Sequence, residues 1–444
     1  MCLSVPGMNV LGCKWVYKIK LKEDVTLERH TDRLVVQGYN QIGGVDYEET
    51  FSPVVKPSTI RCVLSLALNK KWPIRKLDVS NAFLHGDLNE DVYMMLPPGF
   101  VSIGILLIKS GVKRILLVYV EEIILVGSSD DVLSTFITSL SAAFAMKHLG
   151  SLSYFLGMEA LFTYNTNSLL LTQNKYSLEL LKKFDMLECK PCKTPIAPGQ
   201  RDSISDGTVL KDSSTYRSLV GGLQYLAFTR PDISYDVNYV SQFMHKPTDI
   251  HLQLLKRILR YIKGSLRSGI TLIRGNCTTI TAYSDSDWDG CPYSRRSTTG
   301  YCVFLGDNLV SWSSKKQPTI DHSSTEAEYK ALVVAASEVR WISYILDELG
   351  VPLTTPCLMY CANMGARSLA SNPVCHARTK HIEVDYHFVR SLVMIGFLFV
   401  KYVHTLDRIA NFFIKGLNKK LFFKLQGKLM HYQSVQFEGG CKRT

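Results

Sequence analysis

Residues 115–126 read Ile-Leu-Leu-Val-Tyr-Val-Glu-Glu-Ile-Ile-Leu-Val, two apolar runs split by two adjacent glutamates. The runs are short, β-branched and leucine-rich, so the pattern predicts the buried strands of a hairpin. Almost no room is left for a turn. Hairpin tips favour Asn, Asp or Gly, whose backbones accept the angles a tight turn demands. Glutamate has no such advantage, so Glu121 and Glu122 point to chemistry, because paired carboxylates hold divalent cations. A further acid, Asp78, closes a predicted strand over residues 74–79. Alone it reads as a helix cap. Joined to Glu121 and Glu122 it makes a three-carboxylate cluster, as two ions ~3.5–4 Å apart require.

Acids gather again in the second half. Tyr283-Ser284-Asp285-Ser286-Asp287-Trp288-Asp289-Gly290 imitates the start of a calcium loop. That loop needs a bidentate glutamate at its twelfth position, and Arg296 stands there, so calcium is excluded. A strand-end acid for metal catalysis and a solvated turn both remain open. Ser323-Ser324-Thr325-Glu326-Ala327-Glu328 fits a capping box in two registers, and its glutamates could equally enter a metal site. His381, Glu383, Asp385 and His387 would share one face of a strand, a weak metal pattern. Arg378, Lys380 and His381 suit phosphate contacts better.

The 444 residues suffice for two or three domains with cores. The net charge of +12 favours a polyanionic partner, nucleic acid or an acidic membrane surface. Membrane spanning is not expected: residues 393–400 are too short, and charges interrupt residues 101–126. No signal peptide is evident. Twelve cysteines without framework spacing suggest free thiols in a reducing compartment. Periodicity predicts helices over 58–71, 128–148, 175–187 and 326–349, a basic hairpin over 13–40, and largely helical structure over 215–268. A Pro/Gly/Ser/Asp-rich loop at 191–214 is the best boundary.

Several longer segments carry a resemblance. They are Gly12-Cys13-Lys14-Trp15-Val16-Tyr17-Lys18-Ile19-Lys20, Asp46-Tyr47-Glu48-Glu49-Thr50-Phe51-Ser52-Pro53-Val54-Val55-Lys56, and Leu77-Asp78-Val79-Ser80-Asn81-Ala82-Phe83-Leu84-His85-Gly86. Further along are Tyr154-Phe155-Leu156-Gly157, Thr229-Arg230-Pro231-Asp232-Ile233, Arg295-Arg296-Ser297-Thr298-Thr299-Gly300-Tyr301, Ser313-Ser314-Lys315-Lys316-Gln317 and Arg378-Thr379-Lys380-His381-Ile382. Together they resemble the pol polyprotein of copia-type LTR retrotransposons over its reverse transcriptase and ribonuclease H regions. The resemblance implies an α+β and α/β multidomain chain. Its parts would be truncated fingers and palm (1–127), a thumb-like part (128–200), a helical connection (201–275), a ribonuclease H-like α/β domain (276–420) and a basic tail (421–444).

The resemblance also implies chemistry: copying RNA into DNA and degrading RNA in the hybrid, with Mg²⁺ at two-metal sites. Expected partners are RNA, DNA and RNA–DNA hybrid, in cytoplasm or nucleus. Asp78 would be the first polymerase ligand. The family's Tyr-Val-Asp-Asp hairpin is here Tyr119-Val120-Glu121-Glu122, each carboxylate one methylene further out. Arg33 matches a basic fingers element whose two lysines are here Thr31 and Gln37. Residues 97–100 run almost directly into the hairpin, so the segment that lines the template–nucleotide site is missing. In the ribonuclease H half Asp285 matches the first acid and Glu328 the second, with Glu326 the alternative register. Ala362 and Asn411 replace the third and fourth. Arg295, Arg296, Arg378, Lys380 and His381 would meet nucleic acid. Three outcomes follow from such a sequence: an impaired enzyme, a non-catalytic binder of nucleic acid, or a relic without selected function.

Overall fold

The computed structural model describes residues 10–11, 13–21, 27–36, 55–79, 93–94, 114–119, 122–144, 146–163, 167–371, 383–404 and 407–430. The described chain forms two compact units. The first takes residues 1–55, 75–125 and 130–150; the second takes 56–74, 126–129 and 151–444.

In the first unit, Cys13–Leu21 and Leu27–Val36 pair antiparallel, the predicted basic hairpin. The strands Arg114–Tyr119 and Glu122–Gly127 lie side by side in a four-stranded sheet. Ile74–Val79 comes next and Met146–Ser151 closes the edge. Leu77, Leu116, Ile123, Leu125 and Leu133 are its buried cluster. The expected helix over 128–148 stops at Ala143, and residues 146–151 are strand. That strand is mostly exposed, so it carries no apolar alternation to betray it.

The second unit has larger cores. Helix Pro57–Lys70 belongs here, although the sequence groups it with residues 1–127. Proline at its first turn needs no amide partner there. Its Cys62 and Leu66 pack with the helix Ser324–Glu348 and a five-stranded sheet. The strand order is Asn308–Lys316, Thr298–Leu305, Ile280–Ser286, Cys357–Cys361, Leu398–Tyr402. The first three run antiparallel, and the last two lie parallel to the central strand. This is the ribonuclease H-like α/β part of the expected architecture.

The region expected to be thumb and connection holds the predicted helices Asn174–Lys183, Ser214–Leu226, Ser234–Ser241 and Asp249–Lys263. It adds a four-stranded antiparallel sheet built from residues 154–172 and 269–273. Leu223, Leu255, Ile258 and Ile262 are fully buried among these helices. The Thr229–Ile233 motif is an internal tie: Arg230 forks onto Asp232 at 2.8 and 2.9 Å, both residues wholly buried. Asp232 also accepts from Tyr261 at 2.5 Å and from Gln426 at 3.2 Å.

Two further readings need correction. Residues 421–430 are not tail but part of the helix Lys419–Met430, whose Phe422, Leu425 and Leu429 enter the core; residues 431–444 lie outside the described residues. Glu383 and Asp385 begin a helix, Glu383–Met394, so the shared strand face of His381, Glu383, Asp385 and His387 does not form.

Candidate active sites

Asp285 sits at the end of the central strand, opposite Gly300 in the register. Its neighbour Ser284 is level with Cys361 on the parallel strand, so Ala362 follows at the same end of the sheet. A crevice beyond parallel strand ends, where strand order reverses, is where α/β sheets place their ligands. The long helix starts at Ser323, whose hydroxyl accepts from the Glu326 amide at 3.2 Å. One turn in, Glu328 turns toward Asp285, while Glu326 accepts from the His322 amide at 2.9 Å and pairs with Lys330 at 2.9 Å. Geometry therefore brings Glu328, not Glu326, to Asp285.

Asn411 reaches the same end of the sheet on the 3₁₀ turn Ile409–Phe413. That turn packs flat because Gly300 has no side chain. A Cβ there would stand 2.7 Å from Ile414 Cγ2 and 2.8 Å from Phe413 Cβ. Asn411 is 2% exposed, and its Oδ1 meets no donor among the described residues.

The Asp285 and Glu328 carboxyls face each other, and the Asp285 charge disfavours ionisation of Glu328; Asp285 Oδ2 is buried with no hydrogen-bond partner among the described residues. Burial, then the facing Asp285, pushes Glu328 up to about 9; burial also raises Asp285. Arg408 and Lys415 lie close enough to oppose that rise. Arg408 Nη2 also donates to the Ala362 carbonyl at 3.2 Å. Cys361 Sγ lies 4.0 Å from Glu328 Oε2. Next along the chain, burial pushes Asp287 up to about 7, and it accepts from the Thr298 amide. Asp289 pairs instead with Arg295, so the three aspartates of this run do not converge.

At the other candidate centre, Asp78 is half-buried on the strand next to Glu122. Lys76 and Asp78 are two residues apart and so share a face. Glu122 meets Lys76 Nζ at 2.7 Å and therefore faces the same side. Glu121 lies outside the described residues, as do Arg378, Lys380 and His381; of Arg33 only the backbone is described, paired with Val16. Arg295 and Arg296 are exposed on the loop after the Asp285 strand.

Among the described residues no three His, Cys, Asp or Glu side chains converge on a metal position. Asp285 and Glu328 are the carboxylates that would hold a divalent ion at the first centre, where Asp285 Oδ2 has no partner among the described residues; at the second, Glu122 meets Lys76. No described helix is long and apolar enough to cross a membrane.

A family model described as reverse transcriptase (RNA-dependent DNA polymerase) matches residues 4–105 and 101–198. The chain is 43% identical over 95% of its length to the Retrovirus-related Pol polyprotein from transposon RE1 of Arabidopsis thaliana. It is 35% identical over 94% of its length to that from transposon TNT 1-94 of Nicotiana tabacum. The chain belongs to the copia-type retrotransposon Pol family. It spans about a third of these relatives, 32% and 35% of their lengths. The alignment to the RE1 protein runs over 466 residues, more than the 444 of this chain, so that relative carries residues this Pol chain lacks. The family model breaks at residues 101–105, where the sequence places the loss. A solved foamy viral protease-reverse transcriptase with RNA/DNA hybrid aligns over 92% of this chain and 52% of its own. The TM-score is 0.42 and the identity 13%, too loose to carry weight.

Two residues at these centres escaped the sequence. Lys76 was findable, since it stands two positions before Asp78 on one strand face. Arg408 was not: no local pattern announces a cation that reaches back to Ala362.

Proposed function

We propose that this Pol-derived chain binds RNA–DNA hybrid through its ribonuclease H-like domain and has lost the family's rates of copying and cutting. One observation carries the reading. The sheet, long helix and 3₁₀ turn bring four positions to one end of the sheet, but Ala362 and Asn411 occupy two, which leaves Asp285 and Glu328 as the carboxylates there. Hydrolysis by the family's route needs acids that hold metal. Each ~1.4 kcal/mol of lost charge stabilisation costs tenfold in rate, so a deficit of ~10³-fold or more is expected. Binding survives such a loss because it rests on exposed cations: Arg295, Arg296 and the +12 balance.

The test is cleavage and binding of a labelled RNA–DNA hybrid by the full chain with Mg²⁺, beside Ala362→Asp/Asn411→Asp. The natural chain should bind, with affinity falling steeply with salt, and not cut; the double variant should cut. Cleavage by the natural chain, or salt-independent binding, would defeat the reading.

A further inference from the structure

The loop after the Asp285 strand carries a thiol against an amine. Lys316 ends the outer strand Asn308–Lys316, opposite Thr298 in the register. Its Nζ donates to Cys291 Sγ at 2.8 Å, to Gln242 Oε1 at 3.0 Å and to Tyr293 Oη at 3.4 Å. It also lies 4.4 Å from the Tyr293 ring centre. These contacts hold the ammonium beside the sulfur. The loop holds the sulfur in turn: the Cys291 amide donates to the Arg296 carbonyl at 3.3 Å, and the Arg295 amide to the Cys291 carbonyl at 2.9 Å.

Cys291 differs in chemistry from Cys357 and Cys361. Burial pushes those two thiols up to about 12. Burial acts on Cys291 as well, but Lys316 and Ser294 outweigh it and hold the thiol below its ordinary range. The thiolate is the form that peroxides oxidise, first to a sulfenic acid. Access is narrow: Cys291 is 8% exposed, while Pro292, Tyr293, Arg295 and Arg296 around it are exposed. A reagent scarcely larger than water reaches such a sulfur, and a bulky external thiol does not follow it. The sulfenic acid is therefore trapped from within. Sulfenic acids condense with nitrogen as well as with thiols. One nitrogen is already in place, and fixed placement is worth a high effective concentration.

We propose that Cys291 and Lys316 are a modification site, joined by peroxide through a reducible sulfur–nitrogen bond. The Cys291 thiolate attacks one peroxide oxygen; the S–O bond forms, the O–O bond breaks and hydroxide leaves. That hydroxide takes a proton from the Lys316 ammonium and becomes water. The freed amine attacks the sulfur. The S–N bond forms, the S–O bond breaks, and the oxygen leaves with one amine proton as a second water. Sulfur is oxidised by two electrons, and one peroxide is reduced to two waters. The link ties the loop that bears Arg295 and Arg296 to the end of the outer strand. The proposal goes beyond the hybrid binding above and stands without it.

The experiment exposes the full chain to hydrogen peroxide at neutral pH, alkylates the remaining thiols and maps tryptic peptides by mass spectrometry. The natural chain should give a cross-linked peptide pair, placed at Cys291 and Lys316 by fragmentation. The pair should be lighter by two hydrogens than its halves and absent after dithiothreitol. Lys316→Arg keeps the positive charge but lacks the nucleophilic amine. It should lose the link and accumulate Cys291 sulfenic acid, captured by dimedone, at a rate close to that of the natural chain, because a cation still favours the thiolate. A misfolded loop would lose that rate together with the link. Cys291 that resists peroxide in the natural chain, or that goes on to sulfinic acid with no link, overturns the proposal. So does a link at Cys291 that survives Lys316→Arg, since another group would then be the partner.

Discussion

The two carboxylate centres depart from the family pattern in opposite ways. The polymerase-like centre keeps an acid at each of its three sequence positions, yet Glu122 is answered at 2.7 Å by the chain's own Lys76. Around it the buried cluster numbers five side chains among the described residues. The ribonuclease H-like centre has Ala362 and Asn411 where the resemblance expects two acids, while the central strand, Gly300 and the turn bearing Asn411 are in mutual contact. A retained carboxylate is thus not a retained site. What makes one repairable is the frame that aims it, because ~1 Å of misplacement already costs about a hundredfold.

The largest expected effect tests that contrast. Ala362→Asp/Asn411→Asp should raise Mg²⁺-dependent hybrid cleavage by ~10³-fold or more. The matching repair of the other centre, Glu121→Asp/Glu122→Asp, should yield no primer extension, since it restores side-chain length but not the missing segment. Extension by that variant would break the comparison.

Stability sharpens it next. Arg230→Met leaves the Asp232 carboxylate buried without its fork, and breaking a buried pair this way costs about 3–5 kcal/mol. Urea unfolding followed by tryptophan fluorescence should show the midpoint fall accordingly. A loss under 1 kcal/mol, roughly a surface pair's worth, would mean that the motif is not the tie described. Smaller again is Gly300→Ala. Its Cβ would press on Phe413 and Ile414 at 2.7–3.1 Å, an overpacking cost of about 1–3 kcal/mol. In the Ala362→Asp/Asn411→Asp background it should also cut the recovered cleavage, because the turn carrying position 411 is pushed away. Unchanged cleavage would show that the turn does not need Gly300.

Much of this was readable where the signal is local. Proline at the start of Pro57–Lys70, Ser323 capping the long helix and the apolar runs around Glu121–Glu122 each announce an element from within a few residues. The failures have physical reasons. His381, Glu383, Asp385 and His387 mimic a strand's alternation, but Val389 and Leu392, both buried, belong to a helix face three residues apart. Lysines of 419–428 mask the helical spacing of Phe422, Leu425 and Leu429. The four family positions of the ribonuclease H-like centre came from resemblance. Which glutamate turns inward came only from the fold, and the raised pKa of its carboxyl came only from burial.

The smallest effect is a pH slope at His251, the capping-box residue of helix Asp249–Lys263. Its ring stacks on Phe243 at 3.8 Å. Nδ1 accepts from the Thr248 amide at 3.1 Å, so the proton must sit on Nε2, which donates to the Ser203 carbonyl at 3.1 Å. Protonating Nδ1 would destroy the first bond, and burial holds the ring's pKa below its ordinary 6.5. Above 6.5 both folded and unfolded rings are neutral and the full contribution is present. As pH falls through 6.5 the unfolded ring takes its proton first, so stability is lost until the folded ring follows. His251→Gln should therefore cost about 1–2 kcal/mol at pH 7.5, for its hydrogen bonds, and less at pH 5. Urea midpoints of the two proteins should converge on acidification. Parallel curves would show that the neighbouring Asp202, Asp206 and Asp249 offset the burial, and that this end of the helix is indifferent to the charge on its ring.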